Sequence, residues 1–142
     1  MISIVGTQHW DGRTPPRIQR LPSFLGSIVI PCDDIFAEDE GDPHLPLKFR
    51  AMTISHSNRI ARFVVRTAPK IETLFVHCQQ GVSRSAAVGL AIAQAYGVPI
   101  QNVEGEPLIP NAHIRNLVSD ALRALMSQNR ATLDLWIKQG KG

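Results

Sequence analysis

Residues 74–88 read LFVHCQQGVSRSAAV, and this stretch decides how the rest of the chain is interpreted. The near-continuous apolar run at residues 73–77 is typical of a strand that is buried on both faces of a parallel sheet. A short loop follows it, and residues 83–96 then form an alanine-rich helical pattern that ends at Gly97. Cys78 is therefore expected at the carboxyl end of a buried strand, directly before a loop and a helix.

The segment between this strand and this helix has the composition of an anion-binding loop. Amide groups of such a loop and of the first turn of a helix have no intrahelical partners, so they can converge on one anion. Gly81 permits a tight turn, and the guanidinium of Arg84 suits two oxygens of a phosphate. The same positive field lowers the pKa of a thiol, which makes Cys78 a candidate nucleophile and Ser85 its candidate hydrogen-bond partner. The alternative, a structural cysteine that ends a core strand, leaves the positive charge of Arg84 at a helix start unexplained.

The composition narrows the class of protein. The chain has 142 residues, of which 44% are hydrophobic and 19% are charged, as expected for one globular domain over residues 1–142. Its net charge of +3 is too small to indicate nucleic-acid binding. Two cysteines and five scattered histidines predict no metal or other cofactor and no disulfide framework. Because we find no apolar run of membrane-spanning length and no signal peptide, we expect a cytoplasmic protein, whose oligomeric state stays open.

The first half of the chain has the pattern of an α/β domain. Two β-branched runs, at residues 1–5 and 26–30, predict strands. Residues 55–67 predict a helix with Ser55 or Ser57 as its N-cap. We therefore expect a mainly parallel central sheet that is flanked by helices, with the anion-binding loop at the carboxyl end of a strand.

The clearest helical pattern comes near the end of the sequence. Asn111 is a suitable N-cap, and apolar residues recur at helical spacing from Ile114 to Leu125. A second, short amphipathic helix is expected to begin at about Thr132.

An acidic loop follows the second predicted strand. Residues 31–46 read PCDDIFAEDEGDPHLP and contain six of the twelve acidic residues of the chain. One glycine and three prolines predict irregular structure, and most of the carboxylates are expected to be solvated. Cys32 lies in this loop and is interpreted as a free buried cysteine, with a reversible disulfide to Cys78 as the alternative.

Residues 77–85, HCQQGVSRS, resemble the phosphate-binding loop HCxxGxxRS of the cysteine-based protein tyrosine phosphatases. The resemblance is closer to the dual-specificity and small bacterial branches than to the large receptor-type enzymes, and it is sharp over residues 71–96. It implies a protein tyrosine phosphatase-like fold in a single domain. It also implies metal-independent hydrolysis of phosphomonoesters, on phosphotyrosine or with dual specificity, through a phosphocysteine intermediate. The implied substrate is a phosphorylated protein or a small phosphomonoester.

The resemblance further assigns roles to individual residues. Cys78 is the expected nucleophile, Arg84 holds the phosphate, and Ser85 donates a hydrogen bond to the sulfur. The general acid is expected from the acidic loop, and Asp34 is favoured because IVIPCDDI resembles the strand-then-aspartate arrangement of the dual-specificity enzymes. The expected phosphate-binding residues are Gln79, Gln80, Gly81, Val82, Ser83 and Arg84. The other candidate acids are Asp33, Asp39 and Asp42.

Three further interpretations stay open from the sequence. A rhodanese-like or arsenate-reducing enzyme also uses a cysteine in an anion-binding loop. A catalytically weak phosphate-binding module needs the loop but no acid. A phosphatase that acts on a nucleotide or on an RNA 5′-phosphate needs both the anion-binding loop and an acid.

Overall fold

The computed structural model describes residues 1–7, 24–45, 49–103, 105 and 107–138, with side chains as far as residue 130. Within these residues the chain folds as an α/β protein with a three-stranded parallel sheet and three α-helices. The α/β class and the parallel sheet that the sequence predicts are thereby confirmed.

The sheet consists of β1 (Ile2–Val5), β2 (Ile28–Pro31) and β3 (Val76–His77) in the order β2-β1-β3. Both outer strands run parallel to β1, with Ile2 opposite Ile28 on one side and opposite Val76 on the other. The carboxyl ends of all three strands therefore meet at one edge of the sheet. The first two strands lie within one or two residues of their predicted bounds.

The third strand is shorter and more exposed than its apolar sequence predicts. Leu74, Val76 and Cys78 pack against the core, whereas Phe75 is 51% exposed and His77 is also exposed. The predicted burial on both faces is wrong, because the second face is covered only in part: the Phe24 ring meets the Phe75 ring edge-on, with 5.9 Å between the ring centres, and leaves Phe75 half-exposed. An apolar composition does not tell whether other elements pack on one face of a strand or on both.

Three helices complete the fold: α1 (Ile54–Thr67), α2 (Arg84–Tyr96) and α3 (Ala112–Lys138). The third helix packs against both of the others, and α2 also contacts β3. Single turns of 3₁₀ helix occur at Ala37–Asp39 and Ala68–Lys70. Among the described residues, no helix combines the length and the apolar character that a membrane span needs.

The core is formed by aliphatic side chains from the sheet and all three helices. Each fully buried aliphatic side chain stabilises the fold by about 1.5–3 kcal/mol relative to an exposed one. The large apolar side chains with almost no exposed surface are Ile2, Ile4, Ile30, Ile60, Val64, Val88, Ile114, Val118 and Leu122.

Helix ends agree with the sequence at α2 and differ at α1 and α3. Gly97 ends α2 in the left-handed conformation at φ +64°, as its position predicts. The N-cap of α1 is Thr53, whose hydroxyl accepts a hydrogen bond from the His56 amide, and neither Ser55 nor Ser57 takes this place. The two helices predicted at the end of the chain form one continuous α3, since residues 126–131 contain no glycine or proline to end it.

Candidate active site

The loop of residues 78–83, the candidate phosphate loop, joins the carboxyl end of β3 to the first turn of α2. Gly81 has φ +73°, in the left-handed region where a side chain is strained, which explains the glycine that the sequence places there. Of the other expected phosphate-binding residues, Gln79 and Gln80 are exposed, and Val82 and Ser83 are half-buried. The Ile109 amide donates a hydrogen bond to the Val82 carbonyl at 3.1 Å, so the segment before α3 supports the loop.

Cys78 has the environment of an activated thiol. Its Sγ lies half-buried, 3.2 Å from the Ser85 hydroxyl oxygen. Burial acts to raise the pKa of Cys78, but hydrogen bonds from the Ser85 hydroxyl and from the backbone amides of Ser85, Gly81 and Gln80 outweigh it. The net result is a pKa below the ordinary value of 9.0, which favours the nucleophilic thiolate.

The two cysteines are therefore expected to react with iodoacetamide at different pH. Burial raises the pKa of Cys32 to about 12, so Cys78 should be alkylated first, with a pH midpoint below 9.0. Replacing Ser85 by alanine should move the midpoint of Cys78 upward, because the hydroxyl hydrogen bond favours the thiolate. Mass spectrometry of the alkylated peptides across a pH series measures both effects. Equal reactivity of the two thiols would contradict this assignment.

Arg84 is buried at the edge where the three strands end. Its side chain is 8% exposed, and its Nη1 donates a hydrogen bond to the Cys32 carbonyl at 3.0 Å. A Cβ atom added at Gly6, directly after β1, would lie in ordinary contact with Nη1, at 3.6 Å, but only 3.2 Å from Asp33 Oδ1, so the missing side chain leaves room for the Asp33 carboxylate beside Arg84. Within the described part of the chain, its remaining N–H groups make no hydrogen bond. A buried cation with unused donors is suited to an anionic ligand.

Asp34 is the carboxylate that contacts the phosphate loop. Its Oδ1 accepts a hydrogen bond from the Ser83 hydroxyl at 2.8 Å and a second one from Asn111 Nδ2 at 2.9 Å. The side chain is otherwise exposed. The structure thus brings Asp34, the favoured candidate acid, to Ser83 and the start of α2.

Asp33 serves the fold instead. It is buried, and its two carboxylate oxygens accept hydrogen bonds from the amide and the hydroxyl of Thr7 and from the Arg50 amide. These bonds join the ends of β1 and β2 to the segment before α1. Both oxygens of Asp33 are already used, so this residue is a structural anchor.

The two remaining candidate acids bond only to their own loop. Asp39 accepts a hydrogen bond from the Phe36 amide at 3.3 Å. Asp42 accepts one from the His44 amide at 2.8 Å. Neither carboxylate makes a hydrogen bond to the phosphate loop among the residues that the structure describes.

Cys32 and Cys78 are both free, and the sheet keeps them apart. They follow β2 and β3, and β1 lies between these strands. Two interstrand spacings of about 4.8 Å place the Cα atoms about 10 Å apart or more, beyond the roughly 4.4–6.8 Å that a disulfide spans. The structure therefore favours a free buried cysteine over a reversible disulfide.

Sequence reasoning missed two residues of this site. Asn111 was assigned only as a helix N-cap, yet its amide also contacts Asp34, 77 residues away in sequence. Gly6 has no role in the sequence analysis, although its missing side chain leaves room for the Asp33 carboxylate beside Arg84. Both roles depend on tertiary contacts, which no local sequence pattern predicts.

Comparison of the chain with protein-family models, with curated proteins and with solved structures gives no match. In the described residues no three or more His, Cys, Asp or Glu side chains gather closely enough to hold a metal ion.

Proposed function

We propose that this protein is a metal-independent phosphatase of the protein tyrosine phosphatase type, with a single phosphatase-like domain. Its substrates are phosphomonoesters, either phosphotyrosine or a dual-specificity set, and its intermediate is phosphocysteine. One observation carries the proposal: a thiol activated by loop amides and Ser85 lies in the same loop that holds the carboxylate of Asp34 through Ser83.

The first step follows from this arrangement. The thiolate of Cys78 attacks phosphorus, an S–P bond forms, and the P–O bond to the leaving group breaks. Loop amides and the unused donors of Arg84 stabilise the charge on the equatorial phosphate oxygens. Asp34 in its acid form gives its proton to the leaving oxygen, so the product departs as a neutral alcohol or phenol.

The second step regenerates the thiolate. Asp34, now ionised, removes a proton from water, whose oxygen attacks phosphorus as the S–P bond breaks. The sulfur departs as a thiolate, and the Ser85 hydroxyl 3.2 Å away stabilises it by hydrogen bonding. Inorganic phosphate then leaves the loop.

Hydrolysis of p-nitrophenyl phosphate and of a phosphotyrosine peptide in the presence of EDTA tests this proposal. We expect turnover by the unmodified protein, and for the Asp34→Asn variant a fall in kcat on the phosphopeptide of about 10²–10⁴-fold. The matched control is Asp39→Asn, an identical change in the same acidic loop, which should leave the rate unchanged.

Other outcomes would point to other chemistry. Turnover of thiosulfate or arsenate without phosphatase activity would replace the proposal by a sulfur- or arsenate-processing enzyme. Phosphopeptide binding without turnover would leave a binding module.

A further inference from the structure

The hydrogen bonds to Asp34 are distributed unevenly over its two oxygens. Both donors, the Ser83 hydroxyl and the Asn111 amide, bond to Oδ1. Among the described residues, no hydrogen bond reaches Oδ2. Since one oxygen is fixed by two donors, the other is left to carry the proton that a general acid transfers.

Asn111 performs two tasks with one side chain. Its Oδ1 accepts a hydrogen bond from the Ile114 amide at 3.1 Å and so caps α3, while its Nδ2 donates to Asp34. The side chain is only 7% exposed, which limits the competition of water for both bonds. A serine or an aspartate at this position can also cap a helix, but neither supplies the amide donor.

The first turn of α3, which carries Asn111, is held by several contacts. Ile114, one turn further along α3, is fully buried in the core. The Phe36 ring lies 6.5 Å from the His113 ring, and His113 Nε2 lies 3.0 Å from the Met52 carbonyl oxygen. The acidic loop therefore contacts the first turn of α3 at two points, through Asp34 and through Phe36.

We propose that Asn111 is a positioning residue, which fixes the carboxylate of Asp34 beside the phosphate loop by linking it to the N-terminus of α3. This inference rests on the proposed function, because it assigns Asn111 a role through the general acid. Among the described residues, the side chain of Asn111 makes no hydrogen bond to the thiol or to the phosphate loop.

The test uses Asn111→Ser and Asn111→Asp, which both retain a capping oxygen. Phenyl phosphate needs a proton on its leaving oxygen, whereas 2,4-dinitrophenyl phosphate does not. We expect kcat for phenyl phosphate to fall about 10–100-fold in both variants, because a misplaced acid transfers its proton poorly. The rate with 2,4-dinitrophenyl phosphate should change little in both variants, and the thermal unfolding midpoint should change little in Asn111→Ser. Asn111→Asp should unfold at a lower temperature, because its carboxylate lies beside that of Asp34.

Introducing Asn111→Ser into the Asp34→Asn variant tests whether Asn111 acts by positioning Asp34 or only by stabilising the fold. With the acid already absent, Asn111→Ser should lower kcat no further. An equal loss with both substrates, or a full additional loss in the Asp34→Asn background, would overturn the inference and leave the phosphatase proposal standing. An unmodified protein without Cys78-dependent turnover would overturn the proposed function itself, and this inference with it.

Discussion

Replacing Cys78 by serine is expected to lower kcat for p-nitrophenyl phosphate by about 10⁴-fold or more, because it removes the proposed nucleophile. The hydrogen bonds from Ser85, Gly81 and Gln80 that lower the pKa of the thiol cannot ionise a serine hydroxyl at neutral pH. Serine is close in size to cysteine, so the loop should keep its conformation. Rate measurements in EDTA check the loss.

A second measurement identifies the intermediate. Acid quenching during turnover, followed by peptide mass spectrometry, should find the phosphoryl group on Cys78 and none in the Cys78→Ser variant. The matched control is Cys32→Ala, which removes the only other thiol and retains the backbone carbonyl that Arg84 bonds. A phosphoryl group on another residue, or an unchanged rate in Cys78→Ser, would refute the mechanism.

Replacing Arg84 by lysine should lower kcat/KM by about 10²–10³-fold although the charge is kept. The guanidinium can bond the Cys32 carbonyl through Nη1 and still present planar donors to two phosphate oxygens. A lysine ammonium is a point charge and cannot do both in the same geometry. Arg62→Lys, the same change at an exposed position of α1, is the matched control and should leave the rate unchanged.

Anion binding gives a readout for Arg84 that does not depend on turnover. Tungstate at 100 times its Kd should stabilise the unmodified protein against unfolding by about 2.7 kcal/mol, the value that mass action gives for a single site. The Arg84→Lys variant should lose most of this stabilisation at the same tungstate concentration. Equal stabilisation of both proteins would show that Arg84 does not bind the anion.

The part of the site that lies within one short stretch of chain could be predicted from the sequence. Cys78, Gly81, Arg84 and Ser85 belong to one strand–loop–helix unit, and local rules of helix starts and thiol chemistry describe such a unit. The structure places these residues in that arrangement, with Gly81 at positive φ. The choice of Asp34 among four aspartates needed the resemblance to a family, and the structure now distinguishes it by its bond to Ser83.

What the sequence could not supply are contacts between distant segments. Asn111 meets Asp34 only because α3 brings its N-terminus beside the acidic loop. The exposure of Phe75 and His77 depends on which face of β3 other parts of the chain cover, and residue periodicity does not contain that information. The amphipathic pattern predicts two helices at the end of the chain, although no residue between them would end the first. The structure has one continuous α3 instead.

The double anchoring of Asp34 bears on the timing of catalysis. An acid on a free loop has to wait for that loop to close, and such closure limits the turnover of many enzymes. Here Ser83 and Asn111 both hold the carboxylate of Asp34 by hydrogen bonds. For the proposed reaction we therefore expect no loop closure to precede proton transfer, so that the rate of bond breaking in a single turnover should be insensitive to solvent viscosity.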